Sequence, residues 1–398
     1  PPHAAAPHPS GRWHTGQKHS PVAALGRAVA FLLCGRAALT FGLAAVTGRK
    51  LKAAMRSFVS TDTLRQAGFF GGYSFLYIAV RRYLASRPSF LGAKVSNSFV
   101  AGSLAGLTIA IDDPGRAHAL ATYMLSRAAA LVCHAGVRLR WWQPLHWFPA
   151  AVFALCEVPI MYGYILARDA VDPDYYRLIM KWSRDINDDV LDRFFRNVTP
   201  AAHFVPCEAA GYHKGTCTHY LFDDLVQNWI ITAKMYIPIY CIPRVTLSLD
   251  RTLADPISTV QRTARDIFNS GMMLATYIFM MKAGFCMSRR TADVQKGGPV
   301  ALSALLPSGL LTGLGVLWET PSRQEELAIY VTPQALTICW NLLRSHGLVR
   351  AVPAATVLMF ALAMGCIMHH FDDSQQSRAL LKPYVRIPLE RVIDGPLF

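Results

Sequence analysis

Apolar residues in this chain fall in long runs with almost no charge, not in the strict alternation or amphipathic spacing of a soluble fold. Ten such segments can be read, near Pro21–Val46, Leu64–Leu84, Asn97–Ile111, Ala117–Val137, Pro144–Ala167, Val226–Val245, Arg262–Met287, Gly298–Trp318, Glu325–Leu343 and Arg350–Met368. Most approach the roughly 20 residues that a bilayer-crossing helix needs, and they are bounded by Arg, Lys, Trp or Pro. Arg27 and Arg36 interrupt the first, which also suits a helix lying along the interface. Asn97–Ile111 is short. The pattern predicts an all-α, polytopic transmembrane bundle of about 8–10 spans.

Residues 169–225 break the pattern, with ten acids against six Lys/Arg. Leu178, Trp182, Ile186, Val190 and Phe194 recur at helical spacing, while Arg184, Asp185, Asp188, Asp189 and Asp192 take the rest of the wheel. The expectation is one amphipathic helix within a connector between two halves. The expected organisation is a polar basic tail (1–20), a first transmembrane repeat (21–168), the connector (169–225), a second repeat (226–370) and a C-terminal tail (371–398).

The halves are related. A shift of 207 residues aligns Gly102–Ala128 with Gly309–Ala335 without a gap, and ten of 27 positions are identical. The matches include Gly102/Gly309, Gly106/Gly313, Pro114/Pro321, Arg116/Arg323 and Tyr123/Tyr330. Pro149-Ala150-Ala151 also matches Pro353-Ala354-Ala355 at nearly the same offset. Unrelated apolar helices would share Leu and Ala, not Gly, Pro, Arg and Tyr in register, so a duplicated bundle is expected.

Composition supports the membrane reading. The chain is 53% hydrophobic and 16% charged, against roughly 25% charged in soluble domains. The net charge of +15 resides mainly at the edges of apolar runs, where basic side chains meet headgroups, so nucleic acid is not an expected partner. The first 60 residues hold eight Lys/Arg and no acid before Asp62, the composition of a mitochondrial presequence or of a basic tail on anionic lipid. The start at Pro1 suggests a processed form. A Pro/His-rich stretch such as Pro1–Ser20 would need a partner to order it.

Candidate chemistry is sparse. Each half carries Gly-x-x-x-Gly, at Gly102/Gly106 and Gly309/Gly313, a spacing that bares one helix face for close packing. An acidic turn follows each pair, in which Asp113 and Thr320 suit the N-cap and Pro114 and Pro321 the first helical position. Arg116 and Arg323 close these turns, with headgroup contact as the alternative role. Glu157, Lys234 and Lys282 lie within apolar segments, where structural pairing in the interior or interfacial snorkelling is expected, with a transport path as the alternative. Cys207, His213, Cys217 and His219 admit three readings: a Cys207–Cys217 disulfide, reduced thiols, or a zinc site of unfamiliar spacing. The other seven cysteines read as small core residues. No metal, cofactor or catalytic set is assigned.

The stretches AGSLAGLTIAIDDPGRAHALATYMLSRAAA, PC…GTCTHY followed by KMYIPIYCIP, and GLLTGLGVLWETPSRQEELAIYVTPQAL resemble the transmembrane protein 135 family, which is more distantly similar to Tim-type mitochondrial translocases and a small peroxisomal membrane protein. The resemblance covers roughly residues 25–385. It implies a polytopic protein of mitochondrial or peroxisomal membranes without an established catalytic site. By position it carries over the four packing glycines and the Cys207/Cys217 connector pair. The sequence departs from the family where Glu208–Gly211 replaces the expected His-Pro. The expectation is a non-enzymatic scaffold subunit of a mitochondrial inner-membrane complex, in contact with other membrane subunits and phospholipids such as cardiolipin. The alternative is a transporter or translocation component for lipid or polypeptide there or in the peroxisomal membrane.

Overall fold

The computed structural model describes residues 20–47, 55, 58–86, 96–183, 186, 188–192, 207–208, 213–247, 254–288, 302–350, 352, 354–373, 378 and 380–394. Of the expected N-terminal tail only Ser20 falls within this set, and Phe194, Arg184 and Asp185 of the expected amphipathic helix fall outside it. Among the described residues there is no β-strand, and each of the ten apolar segments is helical over most of its described length. Among the described residues four helices are long and apolar enough to cross a membrane: Pro114–Arg138, Phe148–Leu166, Pro256–Met287 and Ala355–Asp372.

The chain divides into two compact units, and the division does not follow the sequence halves. One unit draws on Pro1–Pro144 and Val352–Phe398. It holds α1 (Pro21–Thr47), α2 (Thr61–Ala85), α3 (Asn97–Gly106) with a 3₁₀ turn over Leu107–Ile111, α4 (Pro114–Arg138), α12 (Ala355–Asp373) and α13 (Pro383–Leu389). Helix α12 packs on α3 and α4, α1 on α2, and α2 on α3. Phe69, Tyr77, Ile109, Phe360, Ile367 and Phe371 form the centre of its core. Ser60 caps α2 by accepting from the Thr63 backbone N–H at 3.3 Å.

Several buried polar groups in this unit are tied to partners far away in the chain. Asp372 at the end of α12 accepts from Tyr77, from Ser98 at 2.5 Å and from Arg81 at 3.0 Å. Arg27, which appeared to interrupt the first apolar run, donates to the carbonyls of Val392 and Ile393 at 3.0 and 2.9 Å. Arg36 pairs with Asp62 at 3.0 Å. The segment expected as a C-terminal tail is therefore partly structural, with Leu381 and Ile393 in the core.

The other unit comprises Leu145–Ala351. It holds α5 (Phe148–Leu166), α6 (Pro173–Ser183), α7 (Asp188–Leu191), α8 (Cys217–Leu247), α9 (Pro256–Ser288), α10 (Leu302–Gly313) with a 3₁₀ turn over Leu314–Trp318, and α11 (Pro321–Ser345). Helix α5 packs on α10 and α11, α8 on α9, and α9 on α10. Phe153, Ile160, Tyr164, Met281, Phe285 and Ile338 lie at its centre.

The connector is built into this unit rather than strung between halves: Ala170, Val171, Tyr176, Ile186, Leu191 and Cys207 are core residues. The expected single amphipathic helix is two pieces, since Ile186 is non-helical and Leu178 is exposed. On either side of Ile186, Tyr164 donates to Ser183 Oγ at 3.1 Å and Tyr176 donates to Asp188, and the buried positions are Tyr176 and Ser183 before it and Leu191 after it.

Element bounds in the two units recur 207 residues apart. Helices α4 and α11 have 25 residues each, α5 and α12 have 19 each, and both 3₁₀ turns have five. The helix bounds give α5 and α12 the same spacing as the rest, rather than the slightly smaller one suggested by the Pro-Ala-Ala match. Even the C-terminal turns correspond. Arg140 and Gly347 both adopt positive φ, 59° and 70°, and Trp141 and Leu348 each return a backbone bond of 2.9 Å to Gly136 and Leu343.

Candidate functional site

The Gly-x-x-x-Gly faces are seats for whole helices. A Cβ on Gly102 would lie 2.8 Å from the Met364 carbonyl oxygen, and one on Gly106 would lie 2.7 Å from Ala361 Cα. In the second unit, a Cβ on Gly309 would lie 2.7 Å from Val158 Cα and 3.2 Å from the Glu157 carbonyl, and one on Gly313 would overlap Ala154. These are backbone contacts that no side chain can yield to, so only glycine allows the approach. The pairings are equivalent: Gly106 meets Ala361 as Gly313 meets Ala154, with both partners displaced by the same 207 residues. Each seat is filled by a helix from the other sequence half.

The two acidic turns bind their arginines within the protein. Arg116 Nε donates to Asp112 at 2.9 Å and Arg116 Nη1 reaches Asp62 at 2.7 Å. Arg323 pairs with Glu319 at 3.4 Å. Asp113 caps α4, accepting from the backbone N–H groups of Gly115 and Arg116 at 3.1 and 3.3 Å, and Pro114 follows at the first turn. Thr320 occupies the N-cap position of α11, before Pro321, but its side chain makes no capping bond, contrary to expectation. There Gln324 reaches back instead, donating 2.8 Å to the Glu319 carbonyl. Burial pushes the Glu319 carboxyl up from its ordinary value, opposed by the hydrogen bond from Ser270 at 2.7 Å.

The three charges expected within apolar segments do not form one set. Glu157 is buried and accepts from Tyr277 at 2.7 Å. Lys282 is 0% exposed and pairs with Asp224 at 2.7 Å, while Asp224 also accepts from Asn228 at 2.7 Å. Lys234 is exposed on α8. Asp224 carries no special signal in the sequence beyond its i, i+4 relation to Asn228 and Tyr220, which places them on one face of α8. That face and α9 form a polar seam. Asp224 meets Lys282, Thr232 donates to the Gly271 carbonyl at 3.1 Å, Tyr240 meets Ser270 at 2.8 Å, and Arg244 pairs with Asp266 at 2.5 Å.

The seam ends at a group of sulfur and nitrogen donors. Donor atoms of Cys207, His213, Cys217 and Cys286 all lie within 4.8 Å of one another. No disulfide joins Cys207 to Cys217. His219, the fourth member of the group read from the sequence, is exposed, and Cys286 near the end of α9 occupies that place. His213 Nε2 faces Cys286 Sγ at 3.9 Å, and the His213 ring stacks on Tyr220, centroids 4.5 Å apart and planes 10° apart. No family model, curated protein or solved structure matches this chain. Cys286 escaped the sequence reading because it lies 69 residues beyond Cys217 inside an apolar helix, where a lone cysteine reads as packing. The signal that finds it is its i, i+4 relation to Lys282, the one charge in that stretch of α9.

Proposed function

We propose that the chain is a non-enzymatic, polytopic membrane scaffold built from a duplicated helical unit, and that it serves as an integral subunit of a larger membrane assembly. The observation that carries this reading is the reciprocal exchange of α5 and α12 onto the glycine faces of α10 and α3. Neither sequence half completes a unit alone, so the chain holds its own two halves together. A molecule of this kind presents surface rather than working parts. Matched outward positions are apolar in both units: Leu107 and Leu314 are each 44% exposed, and Ile111 and Trp318 follow one turn on. Lipid or neighbouring subunits would cover them.

The exposed Trp141, Trp142 and Trp147 beside Arg138 and Arg140 have the composition of a membrane–water boundary, which fits a chain entering the bilayer through α4 and α5. The short helices fit a span as well. At ~1.5 Å per α-residue and ~2.0 Å per 3₁₀ residue, α3 and α10 with their turns reach ~25 and ~28 Å, close to the ~30 Å hydrocarbon core. The buried charges are consistent with a filled interior, since Glu157 and Lys282 have separate partners. The resemblance to transmembrane protein 135 and Tim-type proteins supports the mitochondrial inner membrane as the site, with phospholipid and other subunits as partners.

Complexome profiling of membranes solubilised in gentle detergent tests the proposal: the chain is expected to migrate with a fixed set of larger subunits. Migration as an isolated monomer, with ion or lipid flux after reconstitution alone, would replace the scaffold by a transporter.

A further inference from the structure

We propose that Cys207, His213, Cys217 and Cys286 form a structural zinc site that fastens the connector to the end of α9. A tetrahedral zinc with ~2.3 Å bonds to sulfur requires donor separations of roughly 3.8 Å. The four donors lie within 4.8 Å, and one pair is at 3.9 Å, so small side-chain adjustments close the shell. Three thiolates and one imidazole are a soft set that favours zinc over calcium or magnesium. Four protein ligands leave no open position for water or substrate, which makes the site structural rather than catalytic.

The surroundings fit the ligands. Cys207, His213 and Cys286 are buried and Cys217 is partly so. The strand of connector that carries His213 is shaped by local bonds. Gly215 takes φ +71°, its N–H donates to Glu208 at 3.1 Å, and Thr216 accepts from the His219 N–H at 3.3 Å. These place Cys217 at the start of α8, beside His213. The imidazole is held flat by Tyr220, whose other neighbour is the Lys282 ammonium, 5.4 Å from the ring centroid. A zinc with three thiolates carries one net negative charge; Lys282, one turn before Cys286 on α9, is itself paired with Asp224 at 2.7 Å. Binding would release the protons of the three thiols to solvent, and would close a loop from Cys207 to Cys286 through the ion.

The full-length chain, purified in detergent under reducing conditions, provides the test. Elemental analysis is expected to find about one zinc per chain, retained through gel filtration. Cys286→Ser and His213→Ala should each lower that content about tenfold or more. His219→Ala and Cys366→Ser should leave it unchanged. Cobalt substitution of the unmutated protein covers the case in which Cys286→Ser fails to fold. It should give thiolate-to-cobalt charge-transfer absorption with tetrahedral ligand-field bands. A zinc-free protein whose cobalt form lacks those bands overturns the proposal. So does a Cys207–Cys217 disulfide recovered by non-reducing peptide mapping. Loss of zinc in His219→Ala with retention in Cys286→Ser would overturn the ligand set.

Discussion

At the scale of single residues, the two units solve one backbone problem with different amino acids. Helices α4 and α11 both end by turning one residue into the left-handed region, where a Cβ crowds the following carbonyl and costs roughly 1–2 kcal/mol. Gly347 has no Cβ to crowd, whereas Arg140 occupies the equivalent turn at φ 59° and is exposed. Arg140→Gly should therefore stabilise the first unit by about 1 kcal/mol, and Gly347→Ala should destabilise the second by a similar amount. Thermal unfolding of the two variants in one detergent checks both signs. An Arg140→Gly protein that melts earlier would show that the arginine makes a compensating contact. Arg27 makes a similar point about reading residues singly. In the sequence it looks like an interruption of an apolar helix, yet its guanidinium joins the carbonyls of Val392 and Ile393, more than 360 positions away in the chain. Nothing local to Arg27 announces that.

At the scale of elements, pairs of helices are held either by bared backbone or by buried charge, and the two respond differently to mutation. The α8–α9 hairpin belongs to the second kind. Lys282 and Asp224 are both buried at 2.7 Å, so removing one partner leaves the other charge stranded. Lys282→Met or Asp224→Leu alone should cost about 3–5 kcal/mol, while the double variant should recover most of the loss, because replacing both charges removes the desolvation penalty as well as the attraction. A double-mutant cycle of unfolding free energies measures this. Strict additivity would mean that the two charges do not depend on each other. The helices themselves were legible from sequence, because runs free of charge leave few alternatives, and the glycine spacing is visible at both sites. Their partners were not. Sequence spacing identifies a face, and the helix that fills the face of α3 comes from the far end of the chain. The amphipathic pattern over Leu178–Phe194 misled for a related reason. It counts apolar spacing, whereas the helix buries Tyr176 and Ser183 and leaves Leu178 exposed.

At the scale of the whole molecule, the order of elements along the chain makes the two units unequal. The first is assembled from both ends of the sequence, whereas the second is one continuous stretch, Leu145–Ala351, that already includes the helix its glycines require. That continuity gives a direct prediction. A fragment of residues 145–351 in detergent should fold by itself, because α10 and α11 keep α5, and Cys207 of the connector keeps Cys286 of α9 beside it. A fragment of residues 169–351 should not, although it retains most of the same helices. Without α5, the backbone seats at Gly309 and Gly313 lose the helix that fills them, and the core residues Phe153, Ile160 and Tyr164 are removed with it. Burying a large side chain of this kind contributes about 1.5–3 kcal/mol in water and less in lipid, so the glycine seat matters most where apolar burial drives association least. Circular dichroism melts compare the two: a cooperative transition is expected for the longer fragment and a broad, non-cooperative one for the shorter. Addition of α5 as a separate peptide should restore cooperativity to the shorter fragment. Identical melts would mean that α5 is a passenger, and the exchange of helices would then lose its claim to hold the two halves of the chain together.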